Sequence, residues 1–212
     1  MNIEYILAPV AAYLVGAIPF GLLIGKCYGI DVRKVGSGNI GATNVTRAVG
    51  KTAGKVCFFL DFLKGVLPVV LVLQLFPGEA WLALLVGLTT ILGHMFPVFL
   101  KFRGGKGIST AAGVALALAP YPLLIAFAVW VAVFLTSRYV SLASIAAAVT
   151  VPTLAIVFAC CGIGGVTATA PSTLVFFVAI GLLAIYRHRS NVRRLLNGTE
   201  SRFDRKKKED SE

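Results

Sequence analysis

The chain has 212 residues, 58% of them hydrophobic and 14% charged, with a mean hydropathy of +0.87. A soluble domain is about a quarter charged, so the composition excludes an ordinary soluble globule and points to one compact bundle of membrane-spanning helices. The net charge of +11 sits in short blocks between apolar runs, which marks cytoplasmic loops beside anionic lipid heads rather than a nucleic-acid surface.

Seven helices are predicted, over residues 4–25, 54–75, 80–100, 107–119, 121–136, 140–160 and 171–187. The first lacks a basic leader and is long enough to span, so it reads as a helix and not as a cleavable signal. Its Gly21-x-x-x-Gly25-x-x-x-Gly29 face predicts close helix packing within a monomer, with a weak homo-oligomer seam as the alternative. The fourth helix is too short to cross alone and is expected to begin inside the protein, where irregular backbone must be buried or line a wet cavity. Pro120 and Pro122 separate it from the fifth.

Basic residues set the orientation. Lys26, Arg33, Lys34, Arg47, Lys51 and Lys55 fall in one loop, Lys101, Arg103 and Lys106 in a second, Arg138 in a third, and a further cluster from Arg187 onward in the tail. The opposite loops, near residues 76–80, 119–122 and 161–170, have no Lys or Arg. The expected architecture is therefore all-α and polytopic, with the N-terminus outside and the C-terminus cytoplasmic. Residues 1–200 form a single membrane-embedded domain, and 201–212 a charged cytoplasmic tail expected to be disordered. The cysteines Cys27, Cys57, Cys160 and Cys161 form no C-x-x-C pair and read as apolar fillers. The acidic residues are not at ligand spacing, so no metal and no cofactor are implied.

Three segments on the cytoplasmic side carry chemistry. In Gly36 to Arg47, glycines permit close backbone approach, Ser37, Asn39, Thr43 and Asn44 supply neutral donors, and Arg47 supplies a fork for phosphate. Gly38 belongs to the same turn. In Lys101-Phe102-Arg103-Gly104-Gly105-Lys106-Gly107, the glycines lead into the short fourth helix, whose first amides and positive dipole end suit an anion. The Walker pattern is absent, because Gly107 follows Lys106, so a nucleotide is not implied. In Arg187 to Glu200, His188, Asn191 and Glu200 are candidates for contact with substrate hydroxyls, and His188 for a base; the plainer reading is a basic anchor after the last span.

Asp61 and Lys64 share a face of the second helix, either as an ion pair that holds the first loop or with Lys64 on the substrate. His94, ahead of the second loop, reads as a buried residue that shapes it. Ser141 and Ser144 either cap the sixth helix or line the site.

Taken together, Ser37-Gly38-Asn39-Ile40-Gly41-Ala42-Thr43-Asn44 with Arg47, Asp61-Phe62-Leu63-Lys64-Gly65, His94-Met95-Phe96-Pro97 running into the second loop, and His188 with Asn191 to Glu200 resemble one family, the bacterial acyl-phosphate:glycerol-3-phosphate acyltransferases (PlsY family). The resemblance covers nearly the whole chain, up to Glu200. It implies an inner-membrane enzyme, with its site facing the cytoplasm, that moves a fatty acyl group from acyl phosphate to the 1-hydroxyl of sn-glycerol 3-phosphate and releases lysophosphatidate and phosphate. Neither acyl-CoA nor acyl carrier protein serves as direct donor, so a separate enzyme must supply the acyl phosphate. By similarity, Gly104, Gly105, Lys106 and Gly107 form the acyl-phosphate loop. Ser37, Asn39, Asn44 and Arg47 belong to the first motif, and His188, Asn191 and Glu200 to the third.

The residue chemistry fits that implication, since two anionic substrates would want two basic loops. A phosphate-ester transporter is the alternative. Against it, the outer loops lack cations and internal repeats are missing.

Overall fold

The computed structural model describes residues 3–163 and 171–203, and helix is the only regular structure among them. Helix α1 spans Glu4–Ala17 and α2 Phe20–Cys27. A single helix over 4–25 is expected, but Pro19 lacks an amide and forces Ile18 out of helical geometry, to ψ 117°. A short helix, α3 (Ala42–Ala48), follows the first Gly-rich turn, and α4 (Lys51–Leu75) is the longest. Helix α5 covers Ala80–Met95, α6 Ile108–Leu118, α7 Pro120–Ser137, α8 Val140–Cys160, α9 Pro171–Arg187 and α10 Arg189–Leu196.

Among the described residues, five segments are long and apolar enough to cross a bilayer: Glu4–Cys27, Lys51–Leu75, Ala80–Leu100, Pro120–Ser137 and Val140–Cys160. Helices α9 and α10, bent by 54° at His188, make a sixth if taken as one span. The 11 residues of α6 rise about 16 Å against a hydrocarbon core of about 30 Å. As expected, α6 begins within the protein, at the buried Gly107. Its N-cap, Gly107, has φ 82°, a left-handed conformation that favours glycine. The chain is thus a multi-pass membrane protein. Leu7, Leu14, Leu67, Leu71, Leu75 and Leu182 stand exposed on outward faces, where lipid would cover them.

Helix pairs α1·α5, α4·α6 and α7·α8 pack most extensively. Small residues let backbones touch: a Cβ on Gly16 would strike Thr90, and one on Gly113 would strike Phe62. Gly21 and Gly25 pack inside the same chain, against Ile40 and against Ile30 and Val32, while Gly29 has open space beside it. The main core holds Leu82, Val86, Ile91, Met95, Val114 and Leu118. A second, smaller core under the first loop holds Leu22, Val32, Ile40, Val45 and Cys57. Cys57 is the apolar filler expected; Cys27, Cys160 and Cys161 are instead exposed, and all four are free.

The tail departs from expectation over its first residues. Ser201, Arg202 and Phe203 dock: Arg47 Nη2 donates to the Ser201 carbonyl at 3.1 Å, Arg202 Nε to the Tyr139 hydroxyl at 2.9 Å, and the Phe203 amide to the Arg138 carbonyl at 2.9 Å. Residues 204–212, where the rest of the expected disorder falls, lie outside the described residues.

Candidate active site

A cleft of about 690 Å³ lies where the three polar segments converge. The first segment is shaped by Asn44, which is buried in α3. Its Nδ2 donates to the carbonyls of Val32 at 2.8 Å and Val35 at 3.0 Å, and its Oδ1 accepts from the Ser37 amide at 2.9 Å. Asn44 therefore pins the turn. Asn39 Oδ1 accepts from the Gly41 amide at 2.8 Å at the start of α3. Ser37, Asn39, Asn44 and Arg47 all line the cleft.

The second segment folds back on the end of α5. The amides of Gly104 and Gly105 donate to the carbonyls of Met95 at 3.2 Å and His94 at 3.1 Å. Lys106 projects into the cleft, but Gly104, Gly105 and Gly107 do not line it. Their bareness serves another purpose. A Cβ would strike the His94 carbonyl and Pro97 from Gly104, the His94 ring from Gly105, and Met95 from Gly107. Gly38 is also off the wall, in a left-handed turn with φ 68° against the Arg33 carbonyl.

The third segment supplies a hydrogen-bonded chain. Lys106 Nζ donates to Asn191 Oδ1, and Asn191 Nδ2 donates to Glu200 Oε1 at 2.7 Å. Ser141 Oγ donates to the same oxygen at 2.8 Å, and Arg194 Nε to Glu200 Oε2 at 2.7 Å. Ser141 therefore lines the site and binds Glu200 rather than capping α8. His188 Nδ1 lies 2.8 Å from the Ala184 carbonyl. A carbonyl can only accept, so the proton sits on Nδ1 and the neutral ring keeps Nε2 as an acceptor.

Asp61, Lys64 and His94 form a buried cluster beside the wall. Lys64 Nζ lies 2.7 Å from Asp61 Oδ1 and donates to the Ile18 carbonyl at 2.9 Å, at the break between α1 and α2; His94 Nδ1 is 3.5 Å from Asp61 Oδ1. Asp61 and His94 reach the cleft, whereas Lys64 does not. The geometry thus gives Lys64 the ion pair and not the substrate contact.

At the polar end, burial first, and then the cations of Arg194, Arg47 and Arg187, bring the Lys106 ammonium down to about 8, against the opposing pull of Glu200. The other end is apolar. Phe127, Trp130 and Phe134 of α7 stack along one wall, with ring centroids 6.4 and 5.1 Å apart, facing Ala147 and Ser144 of α8. Trp130 Nε1 donates to Ser144 Oγ at 3.3 Å. The cleft therefore suits a ligand with a phosphate head and an apolar chain. The α7 aromatics and Arg194 are site residues that sequence reasoning missed. The aromatics recur at i, i+3 and i+7, which reads equally as a lipid-facing stripe. Among the described residues, no group of three His, Cys, Asp or Glu is placed to hold a metal.

The family model described as glycerol-3-phosphate acyltransferase matches residues 6–198. The chain belongs to that family. Among its glycerol-3-phosphate acyltransferase relatives, one from Aquifex aeolicus is 49% identical over 91% of this chain and 95% of its own length. Another, from Trichlorobacter lovleyi, is 49% identical over 91% and 94%. The crystal structure of PlsY (YgiH), an integral membrane glycerol 3-phosphate acyltransferase, superposes in its glycerol 3-phosphate form with TM-score 0.87 at 46% identity, covering 95% of this chain and 96% of that one. Its lysophosphatidic acid form superposes with TM-score 0.83 at 45% identity.

Proposed function

We propose that this chain transfers a fatty acyl group from acyl phosphate to the 1-hydroxyl of sn-glycerol 3-phosphate, giving lysophosphatidate and phosphate, the first step of phospholipid synthesis. The observation that carries the reading is one cleft with a cationic end, built from Arg47, Lys106 and Arg194, that continues into the aromatic trough of α7. The relatives' shared name, and the glycerol 3-phosphate and lysophosphatidic acid forms of the similar PlsY structure, supply the acceptor and the product.

Acyl phosphate is a mixed anhydride, so the carbonyl needs no activation through an acyl-enzyme. The glycerol hydroxyl oxygen attacks the carbonyl carbon. The bond from that carbon to the phosphate oxygen breaks, and phosphate leaves with the electron pair. The hydroxyl proton passes to the departing phosphate or to Nε2 of His188. Lys106, oriented by Asn191 and Glu200, offsets the charge that builds on the leaving group, and holding hydroxyl and carbonyl together supplies much of the acceleration. The polar segments face the cytoplasm of the bacterial inner membrane, with the N-terminus outside, on the argument from basic loops. An acyl-phosphate-forming enzyme supplies the donor, and the chain works among membrane lipids as a monomer or weak homo-oligomer.

The test is phosphate release from palmitoyl phosphate by purified protein, with and without glycerol 3-phosphate, and with palmitoyl-CoA in parallel. Release that requires glycerol 3-phosphate, yields lysophosphatidate and fails with the CoA donor is expected. A folded sample that binds a substrate without turnover would favour the transporter instead, and radiolabelled acyl trapped on Ser or Cys would overturn direct transfer.

A further inference from the structure

Arg187 ends α9 outside the cleft wall. A basic residue at the end of a last span ordinarily reaches for water and lipid phosphate, and its neighbours Arg189 and Arg193 are exposed. Arg187 turns inward instead and is half-buried. Its Nη2 donates to the Gly104 carbonyl at 2.8 Å and to the Gly105 carbonyl at 2.7 Å, and its guanidinium lies over the Phe96 ring, 5.2 Å from the centroid.

The amides of the same two glycines are bound to the end of α5. All four backbone polar groups of Gly104-Gly105 are therefore engaged, which fixes the peptide planes that launch Lys106. The ammonium of Lys106 returns across the same gap to Asn191, so the α9–α10 bend and the α5–α6 loop are tied twice. One tie is a side chain that must also meet an anion. The other, through Arg187, has no competing duty.

We infer that Arg187 is a positioning residue of the proposed acyl transfer: it sets the distance between Lys106 on one segment and His188 and Asn191 on the other. The inference rests on the acyl-transfer reading. It explains why the loop glycines lie off the cleft wall and against α5, where Arg187 can hold their carbonyls from the opposite side.

The test uses the full chain in detergent with palmitoyl phosphate and glycerol 3-phosphate, comparing Arg187→Gln, Arg187→Lys and, as a neighbouring control, Arg189→Gln. Arg187→Gln should lower kcat/KM by about 100-fold, the scale of an ångström-level misplacement. The loss should fall chiefly in kcat, because a displaced Lys106 meets the departing phosphate poorly in the transition state, and Arg187→Lys should recover about tenfold of it. The control should stay within about twofold. The alkaline limb of kcat/KM should also move up in Arg187→Gln. Lys106, which Glu200, Arg194, Arg47 and Arg187 surround electrostatically, then loses one cation, and the charge-keeping Arg187→Lys should leave the limb nearer its place.

Turnover by Arg187→Gln within about twofold of the unaltered protein with an unmoved limb, or a loss shared equally by the control, would overturn the inference alone. So would failure of both Arg187 variants to fold, which would make the contact a folding tie. Should only the Gln variant fail to fold, Arg187→Lys decides by the same kinetic pattern. No turnover by the unaltered protein would overturn the acyl-transfer reading, and this inference with it.

Discussion

Glu200 gathers three donors, and its removal should differ sharply from its amidation. In Glu200→Ala the Asn191 amide and the Ser141 hydroxyl, at 4% and 6% exposure, lose their shared acceptor and cannot be reached freely by water. Each orphaned buried donor costs about 1–3 kcal/mol. Arg194 is half-exposed and rehydrates, adding at most about 1 kcal/mol. The loss of about 2–7 kcal/mol should lower Tm by roughly 4–28 °C in a chain of this length. Glu200→Gln keeps one oxygen for Ser141 and Asn191 and turns its amide toward Arg194, so its cost should stay near 1 kcal/mol. Helical ellipticity followed against temperature in detergent measures both. Alanine and glutamine variants of equal stability would refute the argument. The pH dependence carries a sign as well. Burial alone would raise the Glu200 carboxyl, but hydrogen bonds from Asn191, Ser141 and Arg194 hold it below its ordinary value. The stability it contributes is therefore present above the unfolded carboxyl pKa of about 4.3 and is lost as pH falls through the lower folded value. The gap between wild type and Glu200→Ala should persist through neutral pH and close only in strong acid.

Lys106 is charged below about 8 and neutral above it, so kcat/KM for the phosphate substrate should be level below that pH and fall above it. Lys106→Met should abolish the limb together with most of the activity, as a kcat/KM profile would show. Trp130→Ala shortens the aromatic trough, and should raise KM more for palmitoyl phosphate than for an octanoyl donor, by about tenfold at the longer length; equal effects would remove the trough from the acyl path. Gly105→Ala drives a Cβ into the His94 ring and should cost about 100-fold in kcat/KM while the helices still melt cooperatively. Lys64→Met, which strands Asp61, should destabilise by about 3–5 kcal/mol, and pairing it with Asp61→Leu should restore part of that loss in a melting experiment.

The convergence of three distant polar segments was legible because each combines glycine with cations and small polar groups, a mixture a plain linker does not need. The spans were legible for a simpler reason, since apolar runs over residues 140–160 and 171–187 reappear as α8 and α9. What escaped was set by tertiary partners. Nothing local in Gly104-Gly105-Lys106-Gly107 distinguishes a glycine that approaches an anion from one that approaches α5, and the structure places three of these glycines against α5. Lys64 looked available until the proline break exposed the Ile18 carbonyl to it. Helices α3 and α10 escaped because they are only 7 and 8 residues long, too short for a periodicity to stand out, and α10 follows a 54° bend that only packing reveals. The trough escaped because stacked aromatics on α7 carry the same pattern whether they face lipid or a ligand.

That trough has a consequence for the direction of the chemistry. Phe127 is 58% exposed on the outer side of α7, so the apolar end of the cleft borders the surface that lipid covers, while the Arg47 end is open and cationic. In the proposed reaction the two products would then part into different phases. Phosphate diffuses into water, and the single-chain lipid slides sideways into the leaflet without crossing an aqueous layer. Reversal would need both to return to one boundary at one moment, so geometry would act as a valve on a step whose chemistry already runs downhill.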